Sequence, residues 1–194
     1  MARENKSRYA ILGLLSSSPM SGYDIKKKIE ELVSNFWTES YGQIYPILKQ
    51  LVAEGLATRS TEAQAGKPDR YIYTLTDLGH EELCRWLIEP TEPQVERIEV
   101  LIKLAFGSAI SVADNIRHVE QFRKLHQQQL QKYEALAERF KAYCRDNSDL
   151  SPNLPYWLMA PSYGMHVSQA LISWCDETLT VLSGLDKDVP GDVL

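Results

Sequence analysis

The chain has 194 residues, a formal net charge of −5 and a hydrophobic fraction of 44%, which fits one or two small globular domains and excludes a disordered chain. No apolar run approaches the roughly 18 residues of a membrane span, and the polar start, Met1 to Tyr9, lacks the apolar segment of a signal peptide, so a cytoplasmic protein without a membrane partner is expected. Cys84, Cys144 and Cys175 are widely spaced and odd in number, which argues against both a disulfide framework and a zinc site.

Bulk charge does not point to nucleic acid: residues 1–90 carry 11 basic and 12 acidic side chains, and the remainder 10 and 14. Local charge does. Arg3, Lys6, Arg8, Lys26, Lys27 and Lys28 face only Glu4 and Asp24 within the first 28 residues, and phosphate contacts act over about a Debye length. Taken alone, the same cluster also reads as a solvated face.

In chain order, Ser7 to Leu15 reads as a short, mostly buried helix. SSSPMSG breaks it, and Ser21 or Met20 opens a second helix with Tyr23, Ile25, Ile29, Leu32 and Val33 inward and Lys26 to Lys28 outward. Phe36 and Trp37 close that segment. Ser40 to Gly55 is a third helix. Ser40 and Gln43 make a capping-box pattern, Ile44, Ile47, Leu48 and Leu51 recur at i, i+3, i+4 and i+7, and Gly55 stops it. Its other side, Gly42, Gln43, Pro46, Lys49, Gln50 and Ala53 with Tyr45 at the border, is thin and polar. This is the surface a recognition helix presents to a major groove. In isolation the stretch fits an ordinary amphipathic core helix better, and its neighbours reverse that preference. Pro46 is expected to loosen the first turns.

After Gly55 the period changes. Leu56 to Glu62 and Arg70 to Leu75 are rich in Thr, Tyr and Ile and read as strands, joined by the turn residues Gly66, Pro68 and Asp69. The hairpin has a basic tip and shoulder in Lys67 and Arg70. Thr76 and Asp77 cap a fourth helix whose Leu78, Leu83, Trp86 and Leu87 are expected to face inward. Three helices, a hairpin and a helix within about 90 residues make a winged helix-turn-helix, whose third helix enters the major groove while the wing follows the backbone or minor groove.

The residues Leu12-Gly13-Leu14-Leu15, Gly22-Tyr23-Asp24-Ile25, Gly42-Gln43-Ile44-Tyr45-Pro46-Ile47-Leu48, Leu51, Glu54-Gly55-Leu56, Arg70 to Thr76 and Gly79 resemble, in order and spacing, the PadR family of bacterial transcriptional regulators. That resemblance implies a homodimeric winged-helix repressor in which the Tyr45 region and the wing touch DNA.

Pro90, Thr91 and Pro93 mark a linker, so the expected domains are 1–90, for DNA binding, and 91–194, for dimerisation. Val95 to Phe106 reads as a helix with Val95, Ile98, Leu101, Ile102, Ala105 and Phe106 apolar. Ser111 to about Asp146 carries a heptad seam from Val112 to Cys144 with Arg123 and His126 as polar members, and a second stripe through Phe122, Leu125, Leu136 and Tyr143. Two stripes suit burial against more than one neighbour. Leu154 to Leu182 is a last helical stretch, with a kink or break expected at Pro161 and Gly164. This half resembles, more weakly, the coiled-coil C-terminal domain of longer PadR-type regulators related to virulence activators. That implies dimerisation through interlocked helices, recognition helices about 34 Å apart and an inverted-repeat operator.

Catalytic patterns are missing. His80, His118, His126 and His166 are scattered, no H-E-x-x-H, G-x-S-x-G or phosphate-binding glycine motif occurs, and Glu30-Glu31 and Glu81-Glu82 diverge on a helix. No enzyme, metal or cofactor is expected. Trp157, Met159, Tyr163, Met165 and Trp174 flank the expected break and suit either an apolar pocket for a small aromatic effector or, more simply, the dimer core.

The sequence therefore predicts a mostly α (α+β) chain: an N-terminal winged helix-turn-helix with a two-stranded wing, then a C-terminal long-helix dimerisation domain. The predicted function is a homodimeric, sequence-specific transcriptional repressor bound to double-stranded DNA. Gln43 is the expected base contact, Ser40, Tyr45 and Lys49 serve phosphates or groove edges, Lys67 and Arg70 act from the wing, and Arg3, Lys6 and Lys26 add backbone contacts. The competing readings are a winged-helix protein-interaction module and an aromatic-ligand sensor without autonomous DNA binding.

Overall fold

The computed structural model describes residues 6–32, 41–63, 69–93 and 97–187. The chain divides into two compact units, Met1–Pro93 and Gln94–Leu194. The described part of the first unit runs α1 (Ser7–Leu15), β1 (Met20–Ser21), α2 (Gly22–Leu32), α3 (Ile44–Ala53), β2 (Ala57–Glu62), β3 (Arg70–Leu75) and α4 (Asp77–Ile88). A single 3-10 turn, Tyr41–Gln43, leads into α3. The strands form one antiparallel sheet in the order β1-β3-β2, with Met20 opposite Tyr73 and a hairpin register from Ala57 opposite Leu75 to Glu62 opposite Arg70.

The core is where the helical periodicities meet: Ile11, Leu12, Ile25, Leu48 and Leu51 are fully buried, with Met20, Ala57, Tyr73 and Leu83 around them. Each such aliphatic side chain contributes about 1.5–3 kcal/mol when removed from water. The inward stripe of α3 is the expected one, Ile44, Ile47, Leu48 and Leu51. Pro46 is the third residue of that helix. There the amide it lacks is one of the first-turn donors that have no intrahelical acceptor, so the proline is tolerated.

Three inward assignments, Tyr23, Leu78 and Leu87, are corrected. Tyr23 is 69% exposed, because it lies two residues, about 200°, from Ile25 around the helix. On α4, Leu83 is buried and Trp86 stacks on Tyr9 at 4.4 Å, whereas Leu78 and Leu87 are 54% and 65% exposed. The face α4 buries is centred on Gly79, Leu83 and Trp86.

The connection from α3 to the sheet is fixed by glycine. Gly55 has φ +74°, and the Leu56 amide donates to Leu51 O (2.9 Å) while the Gly55 amide donates to Val52 O (3.1 Å), the pair of bonds that closes a Schellman cap. The Thr76 hydroxyl donates to Gly55 O (2.7 Å) and accepts from the Gly79 amide (3.0 Å). Gly79 then packs directly on Leu56: a Cβ there would lie 2.9 Å from the Leu56 carbonyl carbon and 2.8 Å from Leu75 Cδ1.

The second unit holds α5 (Glu99–Ala105), α6 (Val112–Asp146) and α7 (Leu154–Lys187), with 3-10 turns at Gly107–Ala109 and Ser148–Asn153. Ser111 caps α6, its hydroxyl accepting from the Asp114 amide at 3.1 Å. Buried Asn115 donates to Gly107 O (2.8 Å) and Ser111 O (3.1 Å), tying the preceding turn to the helix. The expected helix from Val95 is shorter at its start; residues 94–96 lie outside the described residues, and Leu101, Ile102 and Phe106 are exposed while Val100 is buried.

The helices α6 and α7 form an antiparallel hairpin. Phe122 meets Trp174 edge-on at 6.0 Å, Arg123 pairs with Asp176 at 2.7 Å and Phe140 packs on Trp157 at 5.9 Å. Of the kink or break expected at Pro161 and Gly164, the break is not present: α7 is continuous over 34 residues, with Pro161 fully buried. Gly164 serves close packing instead, since a Cβ there would sit 2.5 Å from Tyr133 Cε1 of α6. Of the second stripe on α6, Leu136 is buried while Leu125 and Tyr143 are exposed. No helix is long and apolar enough to cross a membrane among the described residues.

Candidate nucleic-acid interface

Burying Ile44, Ile47, Leu48 and Leu51 turns Gly42, Gln43, Tyr45, Pro46, Lys49, Gln50 and Ala53 to solvent. The strip is short-chained apart from Gln43, Tyr45, Lys49 and Gln50. Its one acid lies at the C-terminal end, where Glu54 pairs with Arg8 and accepts a bond from Gln50 Nε2 at 2.7 Å. The reading face of α3 thus presents amide, phenol and ammonium groups, with the only carboxylate neutralised. Tyr45 is 58% exposed and leans over the start of α2.

The wing is attached to α2 by a polar cluster. Ser21 and Asp24 cap α2 reciprocally: the Ser21 amide donates to Asp24 Oδ2 (3.2 Å) and the Asp24 amide to Ser21 Oγ (3.2 Å). Arg70 of β3 pairs with Asp24 and donates to Ser21 Oγ at 3.1 Å. Partial burial pushes the Asp24 carboxyl upward, but the Ser21 hydrogen bonds and the Arg70 guanidinium outweigh it and hold the group below its usual range.

The other expected contacts separate into three groups. Gln43, at the N-cap of α3, lies together with Tyr45 and Lys49 on that helix. Lys6 pairs with Glu92 at 2.7 Å, Lys26 with Glu30 at 3.8 Å and Arg70 with Asp24, so each has an acid partner that a phosphate must replace. Arg3, Ser40 and Lys67 lie outside the described residues, as do Phe36 and Trp37.

Sequence reasoning missed Arg59. Opposed residues on antiparallel strands share a face, so Ala57, Arg59 and Thr61 share theirs with Leu75, Tyr73 and Tyr71. Ala57 and Tyr73 on this face are buried in the core, whereas Arg59, opposite Tyr73, and Tyr71, towards the wing tip, are exposed. The Arg59 guanidinium sits 4.5 Å above the Tyr71 ring, which pre-orients it. Among the described residues, Arg59 has no carboxylate partner.

Trp157, Met159, Tyr163, Met165 and Trp174 all lie on α7. Trp157 packs on Phe140 and Tyr143, Trp174 packs on Phe122, and Met159 and Tyr163 are exposed. From Trp157 to Trp174 the distance along one continuous helix is about 25 Å. Among the described residues, no group of three or more His, Cys, Asp or Glu side chains is placed to hold a metal ion.

A helix-turn-helix core, a two-stranded wing beside it and a separate unit built on a long antiparallel helix pair define a winged-helix transcriptional regulator with an appended helical domain. Residues 11–85 match the transcriptional regulator PadR-like family, and residues 96–183 match the virulence activator alpha C-terminal family. The negative transcriptional regulator PadR of Bacillus subtilis is 32% identical over 93% of this chain and 98% of its own. The crystal structure of Bacillus subtilis PadR in complex with operator DNA superimposes with a TM-score of 0.79 at 30% identity, covering 92% of this chain and 99% of that one. Bacillus subtilis PadR in complex with p-coumaric acid gives 0.76 at 29% identity, with 94% and 99% covered. The chain belongs to the PadR-like family of transcriptional regulators.

Proposed function

We propose that the protein is a cytoplasmic, homodimeric repressor, not an enzyme, that binds an inverted-repeat operator and responds to a small aromatic effector. The exposed strip of α3 carries the proposal: Gln43 offers bidentate amide chemistry to a base edge, and Tyr45 and Lys49 flank it for phosphates or groove walls. Lys67 and Arg59 supply the wing's cations, and Arg3, Lys6, Lys26, Ser40 and Arg70 are secondary contacts. The DNA complex and the p-coumaric acid complex of the Bacillus subtilis relative support the two ligand classes.

Dimerisation is supported by an exposed apolar stripe along α7. Tyr156, Met159, Tyr163, Val167, Val181 and Leu185 are exposed along it at helical spacing, an apolar stripe of the kind that a second copy covers. In this reading Met159 and Tyr163 serve dimer contact, and the effector site lies elsewhere.

Light scattering and DNA titration test the reading together. A mass near 44 kDa, twice the 22.1 kDa chain, and salt-dependent retention of an inverted repeat are expected. A monomer that binds DNA, or a dimer that binds none at low salt, would refute it.

A further inference from the structure

The turn that opens α2 touches both DNA-reading elements. Gly22 is buried, and the Tyr45 ring of α3 occupies the space a side chain would take: a Cβ on Gly22 would lie 2.6 Å from Tyr45 Cε1 and 3.3 Å from Cδ1 and Cζ. One residue before, Ser21 accepts a bond from Arg70 of the wing strand; two residues after, Asp24 forms the ion pair with that same guanidinium. Ser21 also pairs with Ile72 in the sheet. Four consecutive residues thus hold a ring on the recognition helix from one side and an arginine at the root of the wing from the other.

Neither contact is needed for the helix itself. The φ of Gly22 is not in the positive region, so alanine fits its backbone, and alanine is the better helix former. The reciprocal Ser21–Asp24 cap is complete without Arg70. The lack of a side chain at Gly22 and the guanidinium on Asp24 therefore act outward, on α3 and on the wing.

We propose that the Ser21–Asp24 turn is the positioning element of the DNA-binding surface: Gly22 seats the Tyr45 ring and Asp24 anchors Arg70, so that recognition helix and wing meet DNA in one fixed relation. The proposal rests on the DNA-binding reading above. A side chain at Gly22 displaces the flexible end of Tyr45, not backbone, so the fold persists while the ring moves.

The test is a pair of double-mutant cycles in full-length protein, read as affinity for the inverted repeat that the parent protein enriches from a random DNA pool. Gly22→Ala is expected to leave the melting temperature unchanged or raised and to weaken operator binding about tenfold. It should have no further effect in a Tyr45→Ala background. Asp24→Asn, which keeps a capping acceptor, is expected to weaken binding in the parent but not in Arg70→Met. An unchanged affinity for Gly22→Ala, an equal loss with and without Tyr45, or tighter binding by Asp24→Asn would each overturn the proposal; the last would mean that Asp24 only sequesters Arg70. A parent protein that retards no DNA would instead overturn the function, which separates the two failures.

Discussion

Two glycines in the first unit distinguish helix propensity from packing. Gly13 lies inside α1 and Gly79 inside α4. By propensity alone, alanine at either site stabilises by about 0.5–1 kcal/mol. Around Gly13 nothing lies within 4 Å of a built Cβ, so Gly13→Ala should realise that gain. At Gly79 the same methyl meets the Leu56 carbonyl group and Leu75 Cδ1 at 2.8–2.9 Å, well inside contact distance, and a backbone carbonyl cannot rotate away. Overpacking costs about 1–3 kcal/mol, and moving α4 to relieve it stretches the 3.0 Å cap from Thr76, which is worth about 1 kcal/mol. Against the propensity gain, the net for Gly79→Ala is about 1–3 kcal/mol of destabilisation. At roughly 2–4 °C per kcal/mol for a chain of this size, its thermal midpoint by circular dichroism should fall by about 2–12 °C, while Gly13→Ala should rise by about 1–4 °C. A Gly79→Ala protein that melts at or above the parent would refute the direct seating of α4 on Leu56.

Gln43→Ala should cost about 1–3 kcal/mol in operator binding and relax preference at one base pair; unchanged preference there would remove Gln43 as the base contact. Arg59→Ala should flatten the dependence of log affinity on log salt by about one unit, and equal slopes would take Arg59 off the interface. Val167→Glu places a charge in the outward stripe of α7 and should convert the dimer to monomer at micromolar concentration; an unaltered mass in solution would point to another dimer face. Burial beside the Phe122 ring, 4.4 Å away, lowers the proton affinity of His126. The unfolded chain then binds the extra proton first, so stability should hold above about pH 6.5 and decline as pH falls through that value. His126→Gln should lose that part of the decline, and an identical pH profile would refute the coupling.

What the sequence made legible follows the range of the interactions involved. The inward stripe of α3 repeats within one helix, and the Thr76 cap spans three residues, so both could be read locally. The apolar character of Tyr23 and Leu78 suggests an inward position, but their angular positions put them well away from Ile25 and Leu83. Pro161 removes a helical donor and so suggests a kink or a break; packing of α7 along α6 holds the helix continuous through it. The ion pairs of Lys6 with Glu92 and Arg70 with Asp24 join residues 86 and 46 positions apart, and no local pattern shows which cations are already engaged. Arg59 on Tyr71 depends on the hairpin register, which a turn of uncertain length leaves open until Ala57 is seen opposite Leu75.

The central claim is that two copies of α3 read two half-sites. Selection of bound sequences from a random double-stranded DNA pool by the purified full-length protein tests it most directly. An inverted repeat with half-site centres about one helical turn apart, roughly 34 Å or a multiple of it, is the predicted result. Enrichment of a single unrepeated site, or of nothing at low salt, would contradict it.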